Sequence, residues 1–90
     1  MLVLNKLYRL NRGNQNQTVG LIISGTSSVQ VYGSSIKPTQ LSDMADCTDA
    51  ETLDAGTWTF EMLPEYLVVT GTADRIDIVG MSYEDLNTTF

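Results

Sequence analysis

Apolar and polar residues alternate at period two along much of this chain, and the alternation predicts six strands separated by short links and one long gap. From Leu2 to Leu10 the residues Leu2, Leu4, Tyr8 and Leu10 share one face, interrupted by Lys6; a short helix using Val3, Leu7 and Leu10 is the competing fit. Residues 11–17 are polar with one glycine and read as a loop. Thr18 to Ser24 and Ser28 to Gly33 predict a β-hairpin turning at Ser24-Gly25-Thr26. Tyr66 to Gly80 predicts a second hairpin. In it Leu67, Val68 and Val69 supply aliphatic bulk, Gly71 supplies the turn with a residue free to take positive φ, and Ile76-Asp77-Ile78 alternates. Aligning Ser24-Gly25-Thr26 on Thr70-Gly71-Thr72 sets Val29-Gln30-Val31 against Ile76-Asp77-Ile78 with one inserted residue, either an internal repeat or two independently similar hairpins.

Between the hairpins, Thr57 to Met62 is the strongest single strand signal, with Trp58, Phe60 and Met62 on one face that reads as core. Residues 35–55 interrupt the β pattern. Pro38 discourages helix just before it, and Thr39 or Ser42 is placed to cap a short helix through Leu41, Met44, Ala45 and Thr48. A connection of that length in so small a domain marks either function or a contact surface. The tail carries Tyr83, Leu86 and Phe90 in a weakly patterned segment, where fraying is the default. The expectation is an all-β fold, a small sandwich or barrel of about six strands, with residues 1–90 as a single β domain and one long connection holding at most a short helix.

Composition narrows the function classes. Apolar residues make up 42% and charged residues 18%, a globular balance that leaves few charges to keep copies apart and so favours self-association. Eleven acidic against five basic residues give a net charge of -6, which argues against binding nucleic acid through its phosphates. Lys6, Arg9 and Arg12 lie in the first twelve positions; the remaining two basic and eleven acidic residues give 2 − 11 = −9 for residues 13–90. A basic arm on one subunit and an acidic body on the next would attract, while the same charges also serve to keep a strand edge soluble. Cys47 is alone, so no intrachain disulfide is expected. The first ten residues lack the unbroken apolar stretch of a signal peptide, and no run reaches the roughly 20 apolar residues that a membrane-spanning helix needs, so no membrane partner is expected.

Chemistry-bearing constellations are sparse. Without histidine, Cys47 and the serines lack the usual base, and accidental carboxylate pairs are expected in so acidic a chain, so no enzyme, catalytic residue or cofactor is predicted. The run Asp43, Asp46, Asp49, Glu51 and Asp54 offers oxygen ligands for a hard cation such as Ca²⁺, with Asp43, Asp46 and Asp49 the metal candidates. Its spacing lacks the alternation and central glycine of an EF-hand, and a solvated acidic loop fits better. Among the rings, Tyr32 beside Gly33 is the expected surface aromatic, the feature a sugar-binding module would use.

Gly56-Thr-Trp-Thr-Phe60 followed by Tyr66-Leu-Val-Val-Thr-Gly-Thr-Ala-Asp-Arg-Ile-Asp-Ile-Val-Gly80 resembles the closing strands of small virion structural proteins of tailed bacteriophages, such as head decoration (cement) proteins and head-tail accessory subunits. The resemblance covers roughly a quarter of the chain, with a weaker echo at Leu21 to Gly33. It implies a subunit made in the bacterial host cytoplasm and assembled on a virion, binding capsid or tail proteins and forming homo-oligomers. Lys6, Arg9, Arg12, Tyr83, Leu86 and Phe90 are then the interface candidates. The alternative expectation is a monomeric β-sandwich module for a glycan or calcium.

Overall fold

The computed structural model describes residues 1–11, 18–48, 51–61 and 63–90. Its strands are β1 (Lys6–Leu10), β2 (Val19–Ser24), β3 (Ser28–Ser34), β4 (Ala45–Asp46), β5 (Gly56–Phe60), β6 (Tyr66–Thr72), β7 (Arg75–Val79) and β8 (Tyr83–Thr89). They form a five-stranded sheet in the order β4-β3-β6-β1-β8 and a three-stranded sheet in the order β5-β2-β7, with antiparallel pairings throughout. The fold is an all-β sandwich. Among the described residues eight strands exceed the expected six, because the tail forms β8 and the long connection contributes β4. Among its described residues that connection holds one 3-10 turn, Leu41–Asp43, in place of the expected short helix through Thr48.

Neither predicted hairpin forms. β2 pairs with β5 and β7, while β3 pairs with β4 and β6, so the link at residues 25–27 carries the chain from one sheet to the other. The link between β6 and β7 crosses in the opposite direction. Each segment is an arch, and the two arches stack: Gln30 lies opposite Thr70 in one sheet while Ile22 lies opposite Asp77 in the other. At the corner, Asp74 N–H donates to Ser24 O at 3.1 Å.

Two further segments extend the stack. Val29 and Leu53 exchange backbone hydrogen bonds of 3.1 and 2.8 Å beside β3, and by Gly56 the chain lies opposite Ile23 in the other sheet. On the far side Leu2 N–H donates to Ile76 O at 2.7 Å and Asn5 N–H to Val69 O at 2.8 Å, so the first residues run beside β7 before entering β1. Asn5 makes that corner at φ 64°, in the left-handed region where asparagine is among the tolerated residues.

Gly71 is not the turn residue. It sits inside β6 opposite Val29 with φ 111°, and a Cβ there would collide with the Ser28 carbonyl oxygen. Glycine is needed because two backbones approach closely just before the corner. Gly25, at φ 87°, does lie in a corner, where the Asp74 carboxylate occupies the space a side chain would need. The two glycines therefore hold different places in the two stacked arches.

Burial explains why one arm of the second arch is continuously apolar and the other alternates. Leu67 and Val69 of β6 enter the core between the sheets with Leu10, Leu21, Val31 and Ile76. Val68, on the opposite face, is fully buried with Leu7 and Met44 in a second cluster flanked by Leu41, Tyr32, Leu86 and Phe90. A strand covered on both faces reads as an apolar run. β7 is covered on one face only: Ile76 is buried, whereas Arg75 and Val79 are exposed. The long connection thus has a structural task, since Leu41 and Met44 help close the outer face of the five-stranded sheet.

Candidate protein-protein interface

Most of the expected contact residues are engaged within their own chain. Lys6 Nζ lies 2.8 Å from Asp85 Oδ2, and Arg9 Nη2 lies 2.9 Å from Glu65 Oε1. The Asp85 hydrogen bond raises the Lys6 pKa, and the same bond lowers that of Asp85. Tyr83 packs edge-to-face on Tyr8 with centroids 5.5 Å apart, and its hydroxyl accepts a 2.9 Å hydrogen bond from the Met1 amine. Leu86 and Phe90 are half-buried against the second cluster, and Phe90 N–H donates to Asn5 O at 2.8 Å. The tail is therefore a strand of the sheet and not a frayed end. Arg12 lies outside the described residues.

The acidic connection is organised by hydrogen bonds to its own loop. Thr39 donates its N–H at 3.1 Å and its hydroxyl at 3.0 Å to Asp43 Oδ2, which lowers the Asp43 pKa and ties the 3-10 turn to the chain two residues before it. Asp46 Oδ1 accepts from the Thr48 N–H at 2.8 Å and from the Thr48 hydroxyl. Asp49 lies outside the described residues, and among those described no three His, Cys, Asp or Glu side chains converge as metal ligands. Tyr32, expected as a surface ring, is half-buried beside the second cluster and donates its hydroxyl to Gln30 Oε1 at 3.2 Å. Burial pushes the Cys47 thiol pKa up, the opposite of what activates a nucleophile.

The strand edges differ sharply. An open edge presents unpaired N–H and C=O groups, and proteins usually blunt it with charge, irregularity or a cover. β4 is two residues long. β7 carries Arg75 and Asp77, joined at 2.7 Å, and is flanked by the start of the chain through Leu2. β8 carries Glu84 and Asp85, slips register against β1 between Lys6 and Tyr8, and has Asn87 at φ 55°. β5, Gly-Thr-Trp-Thr-Phe, contains no charge and no proline, its one positive φ (145°) falls at its first residue, Gly56, and among the described residues it pairs with β2 alone.

Trp58 corrects the sequence reading most directly. It lies opposite Leu21 and so on the core side of its strand, as the alternation predicts, yet it is 37% exposed, and among the described residues no strand lies beyond β5. Its Nε1–H donates to Asp54 O at 2.8 Å, which holds the indole at the edge. Phe60, two residues on, is half-buried against the main core. Thr57 and Thr59 point to the other face and are exposed. The alternation marked this strand but not its place at a border; the absence of charge from residues 56–60 was the available signal. Compared with models of known families, with curated proteins and with solved structures, the chain matches none.

Proposed function

We propose that this chain is a non-enzymatic structural subunit acting through protein-protein contact, in the setting its resemblance to phage virion proteins implies: a capsid decoration or cement protein that stabilises a shell. The observation that carries the reading is the β5 edge, without a further strand among the described residues, uncharged in a chain of net charge -6 and bordered by a 37% exposed tryptophan. Aromatic side chains combined with depleted charge are the compositional signature of an interface centre. An edge that accepts a further strand gives affinity through main-chain hydrogen bonds and needs no bound cofactor.

Sedimentation across a concentration series tests the reading. A discrete oligomer resistant to dilution is expected; a monomer at every concentration contradicts it. Calorimetric titration with calcium and with oligosaccharides separates the glycan or calcium alternative, since the structural-subunit reading expects no saturable heat from either.

A further inference from the structure

We propose that the partner of β5 is the β5 of a second copy, paired antiparallel about a two-fold axis at Trp58, so that two three-stranded sheets join into one continuous sheet. The inference rests on the structural-subunit reading and specifies its contact. Self-association of an acidic protein needs a surface where like charges do not meet, and Gly56–Phe60 is such a surface. The sequence of β5 is also complementary to itself in this one register. Trp58 meets Trp58, Thr57 meets Thr59, and Gly56 meets Phe60.

Each pairing has a physical reason. Phe60 and Gly56 lie on the core side of the sheet, so the Phe60 ring of one copy covers the gap left by the missing Gly56 side chain of the other, an aromatic rescue of an edge glycine. The two indoles lie side by side on that same face and cover each other's exposed part. Threonines opposite each other on the outer face form a favourable cross-strand pair. Glu61, the first charge after the strand, falls opposite Ala55 and not opposite another carboxylate. The other edges do not support the same joint: β4 is too short, β7 is flanked by Leu2, and β8 is interrupted by its register slip and by Asn87.

The test compares the native mass of the wild-type chain with that of Thr57→Lys/Thr59→Lys and Thr57→Glu/Thr59→Glu variants. Both positions are exposed, so thermal unfolding of each variant should match the wild type within a few degrees. The wild type is expected as a dimer or a multiple of one, and each charged variant alone as a monomer. Mixing the two variants should restore a one-to-one heterodimer, because every like-charge pair becomes an opposite-charge pair. A wild-type monomer at all concentrations overturns both this inference and the reading beneath it. An oligomer that survives in both charged variants overturns the β5 joint alone and moves the contact to another surface. Oxidation adds a test of register in a Cys47→Ser background: Thr57→Cys/Thr59→Cys should form a covalent dimer and either single cysteine should not, whereas cross-linking by the single variants rules the register out.

Discussion

The five-stranded sheet covers both faces and blunts both edges, whereas the three-stranded sheet leaves one face and one edge open. In the larger sheet Leu67 and Val69 face the main core and Val68 faces the second cluster, so its central strand is closed on each side. In the smaller sheet Leu21 and Ile23 are buried, but Ile22 between them is 37% exposed, and β5 carries a bare border. Closure costs the larger sheet a long connection and a tail strand. The smaller sheet, spared those covers, is where the proposed contact falls.

The largest break in this contrast should come from Gly71→Val, which places a branched side chain at φ 111° against the Ser28 carbonyl and separates β3 from β6. A loss above about 4 kcal/mol in urea unfolding, or failure to fold, is expected; a near-native midpoint would mean that the two backbones do not approach as described. Next is Leu7→Ala. Leu7 is fully buried in the second cluster, so a loss of about 2–5 kcal/mol is expected if that cluster is a true core. A cost below 1 kcal/mol, by the same measurement, would reduce the outer cover to a loose flap. Ile22→Thr on the open face should change stability by no more than about 0.5 kcal/mol, read as a thermal midpoint, and a larger loss would show that this face is covered.

The smallest effect is electrostatic and falls on the larger sheet. The bond from Lys6 holds the Asp85 pKa below its ordinary value of 3.8, so the carboxylate binds its proton less readily folded than unfolded. Its stabilisation is present above about pH 4 and is lost as pH falls through the lowered folded value. Asp43 and Asp77 are shifted in the same direction, by the Thr39 hydrogen bonds and by Arg75 respectively, and titrate in the same window. Thermal midpoints recorded from pH 6 down to pH 2 should fall below pH 4, and Asp85→Asn should shallow that fall. An unchanged slope in the variant would remove Asp85 from the acid response. The pairs are exposed, so each is worth little.

The all-β class and most strand positions were legible because a sheet with one covered face writes its burial as alternation, as in Leu21, Ile23, Ile76 and Ile78. The partner of each strand was not. A tight link with glycine between two apolar runs looks the same whether the chain folds back within a sheet or crosses to the facing one, and only the stacking of arches decides between them. The tail was misread because β8 has no single apolar face: Tyr83 packs on the main core, whereas Leu86 and Phe90 pack on the second cluster, and a register shift against β1 breaks the period between them. Trp58 was misread for the reason that makes it informative. Period two places it on the core side and carries no word on whether another strand follows.

Amide hydrogen exchange measured across a protein concentration series, with β5 and β8 followed separately, tests the open edge most directly. Exchange at Gly56–Phe60 should slow as concentration rises, while exchange at Tyr83–Thr89 stays constant. Constant exchange at β5 together with slowing at β8 would contradict the assignment and make the tail strand the contact.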